Sequence, residues 1–96
     1  MASVNICLIV MTLHIPCAAS LKDKRKQVKS LRERLQAKFN ASVAEIDAHD
    51  EWQSAVLGIT MISNDRRYLE AQFSAIEQLV MDYRDIELVN IRREWL

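Results

Sequence analysis

The sequence has one glycine and one proline in 96 residues, Gly58 and Pro16. Phosphate-binding loops of the nucleotide-binding classes need several glycines, so such a loop is excluded. The two cysteines, Cys7 and Cys17, are too few for a disulfide framework, and their spacing does not fit a CxxC redox or zinc motif. We therefore expect free thiols, buried or half-buried, in a reducing compartment.

The apolar segment near the start of the chain is too short to cross a membrane. Residues 6–13 form a run of strand length, whereas a membrane-spanning helix needs roughly 20 apolar residues. No Lys or Arg precedes the run, although the leading region of a signal peptide is normally positive. We interpret this segment as a buried strand and expect a soluble, cytoplasmic protein without membrane contact.

Four strand patterns and two helix patterns alternate along one domain, residues 1–96. The predicted strands cover residues 4–15, 42–49, 55–62 and 86–91. The order β-α-β-β-α-β predicts an α+β, ferredoxin-like fold. It has a four-stranded antiparallel sheet in the order 4-1-3-2, with both helices on one face. The two most apolar strands, the first and the third, are those that this fold places in the centre.

Helix signals are clear in both helical segments. Ser20 is a suitable N-cap for the first helix, and Asp23 completes an S-x-x-D capping box. Ser63 or Asn64 is the expected cap of the second helix. Helical spacing predicts that two apolar stripes face the sheet: Leu21, Val28, Leu31, Leu35 and Phe39 in the first helix, and Leu69, Phe73, Ile76, Val80 and Tyr83 in the second.

Several stretches of the chain resemble a known family. SLKDKRKQVKSL, SVAEIDAHDEWQSAVLGI and ISND, together with TLHIP, lie within residues 12–65 and resemble the YlxP-like family of small bacterial proteins of unknown function. The resemblance implies a ferredoxin-like fold. It also implies a cytoplasmic protein whose gene lies among translation and ribosome-maturation genes, and it carries no established activity.

Positive charge is concentrated in the first helix. Residues 22–38 hold eight Lys or Arg and two acidic residues, in a chain with 13 basic and 13 acidic residues. Five cations share a stripe at steps of three or four: Lys22, Arg25, Lys26, Lys29 and Arg32. Lys24 lies in the same basic segment and is predicted to bind RNA together with them. Cations near a helix N-terminus oppose the helix dipole, so stability alone does not explain them. The stripe predicts contacts with RNA phosphates, and a solvated helix face is the competing interpretation.

Two observations weigh against a dedicated RNA reader. The net charge is zero, whereas RNA-binding domains are commonly basic overall. The first and third strands contain no Phe, Tyr or Trp, so the sheet lacks the aromatic side chains with which RNA-recognition motifs stack bases.

An acidic segment follows in the second strand and its loop. Its predicted partner-binding residues are Glu45, Asp47, His49, Asp50 and Trp52. Strand alternation is interpreted as placing the first three on the open sheet face with Thr12, His14 and Thr60. Such a carboxylate–imidazole group could hold a metal, but no ligand spacing such as HxH or HExxH supports this. Ordinary polar residues on an exposed or dimer-facing sheet are the favoured interpretation. Trp52 would either anchor an interface with a partner or a second copy, or cover the end of the core.

No nucleophile stands beside a base in a recognisable pattern, so we expect no enzyme, no catalytic residue, no metal and no cofactor. The predicted function is a non-enzymatic, homodimeric protein that binds the ribosome or its RNA through the basic helix. The alternative is a homodimeric protein–protein interaction module that uses the acidic segment and Trp52. A metal-dependent enzyme is a distant third hypothesis.

Overall fold

The chain folds as six elements in the predicted order. The computed structural model describes residues 3–96. Its elements are β1 (Asn5–His14), α1 (Leu21–Lys38), β2 (Ser42–Asp47), β3 (Ser54–Ser63), α2 (Arg66–Met81) and β4 (Glu87–Trp95).

The strands form one sheet in the order β2-β3-β1-β4, and all three neighbouring pairs are antiparallel. At one end of β1, Cys7 lies opposite Met61 of β3 and Trp95 of β4. At the other end, His14 lies opposite Ser54 and Glu87. The predicted order and the central position of the two most apolar strands are confirmed.

One face of the sheet carries the core, and the other is uncovered. In β1 the residues alternate between buried side chains facing the helices and half-buried ones on the other side, which we call the open face. The core gathers sheet and helix residues in one cluster: Cys7, Ile9, Met11, Leu13, Ala55, Leu57, Ile59, Val28, Leu31, Leu35, Leu69, Ile76 and Val80. Both helices therefore pack on the same face.

Each helix begins at a capping residue. Ser20 is confirmed as the cap of α1, since its Oγ accepts a hydrogen bond from the Asp23 backbone N–H at 3.1 Å. The carboxylate of Asp23 in turn accepts the Ala19 N–H at 3.0 Å. In α2 the cap is Asp65, whose Oδ1 accepts the Arg67 N–H at 3.0 Å. A carboxylate at this position is stabilised by the positive end of the helix dipole. The prediction that Ser63 or Asn64 caps α2 was wrong.

Two strand boundaries differ from the prediction by two residues or more, and the others agree to within one residue. β2 ends at Asp47, two residues early, because Ala48 adopts a left-handed conformation with φ 62° that turns the chain out of the sheet. β4 continues to Trp95, although residues 92–96 were interpreted as a polar tail. Tyr83, assigned to the buried stripe of α2, lies beyond the end of that helix and is half-buried.

The two thiols have different environments. Cys7 is buried in β1, as expected, and Cys17 is exposed, which corrects the expectation for that residue; both are free. Burial raises the pKa of the Cys7 thiol, and the positive charge of Arg93 opposes part of that rise. Across residues 3–96, neither helix has the length and apolar character that a membrane crossing requires.

Candidate functional site

Five of the six predicted RNA-binding cations line the outer side of α1. We call this set the basic face: Lys22, Arg25, Lys26, Lys29 and Arg32. The first four are exposed and Arg32 is half-buried. At 100° per residue these five cations fall within one arc of about 120°, directly beside the buried stripe. The basic face is therefore one continuous strip of the protein surface, about 15 Å long.

Lys24 does not belong to the basic face. Its side chain is 0% exposed and lies within the arc of Val28, Leu31 and Leu35. A buried ammonium cannot reach a phosphate on the surface. The prediction that Lys24 binds RNA was therefore wrong, and the residue has a structural position.

The Lys24 ammonium is fully coordinated by the protein. Nζ donates to Glu45 Oε2 at 2.9 Å, to the carbonyl oxygen of Ala48 at 2.7 Å and to that of His49 at 3.0 Å. These three acceptors use all three donors of an ammonium. Lys24 thereby ties the loop after β2 to the first turns of α1, at the point where Ala48 has a positive φ of 62°.

Most charges of the basic face have no internal partner. Lys29 lies 3.8 Å from Glu33, and both side chains are well exposed, so this pair is weak. Among the described residues, Lys22, Arg25, Lys26 and Arg32 form no ion pair with a carboxylate. The basic face therefore presents nearly its whole charge to the solvent.

A shallow concavity of about 290 Å³ adjoins the basic face, lined by Arg25, Val28, Lys29, Arg32 and Glu45. Its wall is made of three cations and a single carboxylate, and that carboxylate is occupied by Lys24. An anion in this concavity would meet three cations and one neutralised acid.

The acidic segment is divided between two environments. Glu45 lies opposite Leu57, on the helix side of the sheet, with its side chain 17% exposed. The prediction that Glu45 faces the open side was therefore wrong, because the alternation was assigned in the opposite phase. Asp47, Asp50 and Trp52 are exposed at the end of β2 and in the following loop.

The histidines and carboxylates do not form the predicted group. His14 Nδ1 lies 3.2 Å from Glu87 Oε2 of β4, whereas His49 Nε2 lies 3.1 Å from the backbone oxygen of Glu45. The open face carries His14, and Glu45 lies on the opposite side of the sheet. In the part of the chain that the structure describes, no group of three His, Cys, Asp or Glu could hold a metal ion.

The loop between β2 and β3 is held at both ends and displays a tryptophan. Gln53 Nε2 donates to the carbonyl oxygens of Pro16 at 3.1 Å and Ala18 at 3.2 Å, and Lys24 binds the loop at its start. Between these anchors, Trp52 is 55% exposed. An exposed aromatic residue on a fixed loop is a suitable anchor for a protein partner.

The open face of the sheet is apolar over β1, β2 and β3. Ile46 of β2 and Ile62 of β3 are 51% and 61% exposed, and Leu8 and Val10 of the neighbouring strand β1 are half-buried. A shallow depression of about 230 Å³ on this face is lined mainly by Leu8, Ala44, Ile46, Gly58 and Thr60. These side chains adjoin one another on the open face and are not scattered singly over the surface.

Two further cationic regions were missed by the sequence interpretation. A cleft of about 450 Å³ between α1 and α2 contains Arg34, Lys38 and Arg84. At the end of β4, arginines of α2 and β4 lie over aromatic rings, with the Arg66 guanidinium carbon 4.2 Å from the ring centre of Trp95. The available signal was the alternation of Ile91, Arg93 and Trp95 at strand period, which was interpreted as a tail.

Comparison with known proteins identifies relatives without a known activity. The sequence profile described as "Protein of unknown function (DUF503)" matches residues 6–93. The chain is 36% identical over 78 residues to "Uncharacterized protein YlxP" of Bacillus subtilis (strain 168), covering 81% of this chain and 85% of that protein.

Among solved structures, "De novo designed protein Foldit4" is similar with a TM-score of 0.55 at 11% identity, covering 94% of this chain and 96% of that one. This likeness concerns the fold alone. The profile match over most of the chain and the identity to YlxP confirm the resemblance seen in the sequence: the chain belongs to the DUF503 family of YlxP-like proteins.

Proposed function

We propose that this protein is a non-enzymatic RNA-binding protein that contacts RNA phosphates, on the ribosome or its RNA, through the basic face of α1. The observation that supports this proposal most directly is that the cations of the basic face are largely exposed and form almost no ion pairs, while Lys24 in the same helix is neutralised by Glu45. We also propose that the protein acts in the cytoplasm and that its βαββαβ arrangement is the ferredoxin-like one.

The position of the charges supports a ligand rather than stability. Lys22 lies in the first turn of α1 and Arg25 follows directly, where the helix dipole disfavours cations. Lysines and arginines four residues apart also repel each other by a few tenths of a kcal/mol. A polyanion would reverse both penalties, since its phosphates would bind at the same positions.

The salt dependence of binding follows from the number of charges. If all five cations of the basic face neutralise phosphates, the logarithm of the binding constant should fall with the logarithm of the salt concentration, with a slope of about −3.5 to −4.5. A slope close to zero would mean that the basic face does not carry the interaction.

The test is co-sedimentation with ribosomal particles. The variant with Arg25, Lys26 and Lys29 changed to Gln removes three charges from the basic face. The control variant changes Arg34, Lys38 and Arg84 to Gln, which removes the same charge elsewhere. We expect the first variant to lose co-sedimentation with a normal melting temperature, and the control to retain it. Equal behaviour of both variants would contradict the proposal.

A second proposal concerns self-association, which we expect through the open face. The central strand β1 is apolar on both of its sides, but only one side is covered by helices. The four strands hold 35 residues, and at about 3.3 Å per residue and about 4.8 Å between strands they give a face of about 550 Å². Two copies packed face to face would bury about 1,100 Å², slightly above the roughly 1,000 Å² that a biological interface needs.

Sedimentation velocity of surface variants shows whether the protein self-associates through the open face or through the acidic segment with Trp52. Ile62→Lys places a charge on the open face, and Met81→Lys places the same charge on a residue of equal exposure at the end of α2, 60% against 61%. We expect a monomer from the first variant and a dimer from the second. If Trp52→Ala dissociates the dimer and Ile62→Lys does not, the acidic segment is the interface instead.

A further inference from the structure

A second surface with the chemistry of a nucleic-acid site lies at the end of β4. It consists of Arg66 and Phe73 of α2 with Arg93 and Trp95 of β4, which we call the arginine–aromatic cluster. The guanidinium carbon of Arg66 lies 4.2 Å from the ring centre of Trp95. That of Arg93 lies 4.8 Å from the ring centre of Phe73 and 5.4 Å from that of Trp95.

The sheet register and the start of α2 produce this cluster. Trp95 pairs with Cys7, and Arg93 pairs with Ile9, so both point to the helix side of the sheet. Arg66 is the first residue of α2, and no acidic side chain lies in the first turn of that helix. The only carboxylate contact of Arg66 in residues 3–96 is with Glu70 at 3.6 Å, between side chains about half exposed.

The geometry of Arg66 suits a planar ligand. A guanidinium stacks on aromatic faces, and its own plane is a stacking platform for nucleobases. Because Trp95 supports Arg66 and its side chain stays 56% exposed, the guanidinium remains accessible to a ligand in a fixed orientation. Its N–H donors can also bind a phosphate.

We infer that the arginine–aromatic cluster binds unpaired nucleotides of single-stranded RNA, by stacking a base on the Arg66 guanidinium that Trp95 supports. This inference rests on the proposed function for the nature of the ligand. The cluster is separate from the basic face. The basic face starts at the N-terminus of α1, which follows the C-terminal end of β1, whereas Trp95 pairs with Cys7 near the N-terminal end of β1. An acidic peptide would use the charge of Arg66 but not its plane.

The test measures the emission of Trp95 in a Trp52→Phe background, since Trp52 is the other tryptophan. Octameric uridine and adenosine ribonucleotides are the probes. We expect a saturable change in Trp95 emission when either oligonucleotide is added. In Arg66→Lys the affinity should fall by a factor of about 5 or more, since stacking of one base contributes a factor of about 5 to 150 to the affinity. Lysine keeps the charge and removes the plane. Arg67→Lys is the control, as Arg67 is exposed and has no aromatic contact among the described residues.

Two results would overturn the inference: no change in Trp95 emission with either oligonucleotide, or equal binding by Arg66→Lys and Arg67→Lys. This test gives a result that is independent of the co-sedimentation test of the basic face. The variant with Arg25, Lys26 and Lys29 changed to Gln should retain the Trp95 signal while losing co-sedimentation. If that variant loses both, the oligonucleotides bind the basic face and the cluster is not a site.

Discussion

Replacing Lys24 with methionine separates the structural lysine of α1 from the cations of the basic face. Methionine matches the length of the buried stem and removes the ammonium. The three acceptors that Nζ serves, at 2.7 to 3.0 Å, would then lose their donor. Two of them are backbone carbonyls and the third is the carboxylate of Glu45, which is only 17% exposed.

The expected cost is large for a protein of this size. Removing one partner of a buried ion pair costs about 3–5 kcal/mol. Because the carboxylate of Glu45 keeps some contact with water, we expect about 3 kcal/mol for Lys24→Met. A 96-residue domain has a total stability of about 5–14 kcal/mol. The variant should therefore fold, with a clearly lower midpoint of unfolding.

Urea unfolding measures this loss. Lys26→Met is the matched control, since Lys26 is exposed on the same helix, and its unfolding free energy should change by less than about 0.5 kcal/mol. Adding Glu45→Met to Lys24→Met should restore part of the loss, because no unpaired charge remains. A loss below about 1 kcal/mol for Lys24→Met, or no recovery in the double variant, would refute the structural role. For the same reason, variants that test RNA binding should leave Lys24 unchanged.

Four smaller predictions concern the two thiols, Ala48 and Ser20. Ellman's reagent should titrate one thiol of the native protein at pH 8, exposed Cys17, and a second only after unfolding. The pKa of the Cys7 thiol is raised in the folded state. The contribution of Cys7 to the free energy of unfolding is therefore complete below the ordinary pKa of 9.0 and is lost as the pH rises through the folded pKa. Urea unfolding of Cys7→Ala at increasing pH should lack this decline. Ala48→Gly should raise the unfolding free energy by about 0.5–1 kcal/mol, since glycine tolerates φ 62°; a lower value would mean that chain entropy outweighs the strain. Ser20→Ala should cost about 1 kcal/mol in the same assay through the lost cap, and an unchanged midpoint would contradict that role.

The order of elements and the central strands could be predicted because each depends on one local pattern. Strand period and helix period separate cleanly in this chain, and only one glycine and one proline interrupt them. The capping of α1 was equally local, since Ser20 and Asp23 lie three residues apart. The end of β2 could not be predicted, because an alanine carries no local signal for the left-handed conformation found at Ala48, and the Lys24 side chain that binds its carbonyl oxygen is distant in sequence.

The arrangement of the basic residues on α1 was predicted only in part. Lys24, Val28, Leu31 and Leu35 follow one another at steps of four, three and four, so the spacing does place Lys24 in the buried stripe. The charge of the residue led to its assignment to the surface. Only the phase of β2, which brings Glu45 to the helix side, explains how the charge is accommodated, and alternation alone does not determine that phase.

The arginines of β4 were missed for a related reason. Arg93 occupies an inward position between Ile91 and Trp95, where its stem covers aromatic surface and its guanidinium stays near water. If arginine is treated as a polar residue, the alternation is interpreted as stopping at Ile91, and the predicted end of β4 is too early. The same amphipathic behaviour makes Arg66 and Trp95 a surface feature rather than part of the core.

The zero net charge does not oppose an interaction with RNA in this molecule. Its principal extents are 51 × 22 × 21 Å, and at physiological salt exposed charges are screened beyond about 8 Å. A ligand at the basic face therefore responds to the local charges and not to the sum of 13 basic and 13 acidic residues. Of the eight cations in residues 22–38, only Lys24 and Lys29 have carboxylate partners among the described residues. The local field along α1 therefore stays positive, and the charge argument for a polyanionic ligand depends on this segregation rather than on composition.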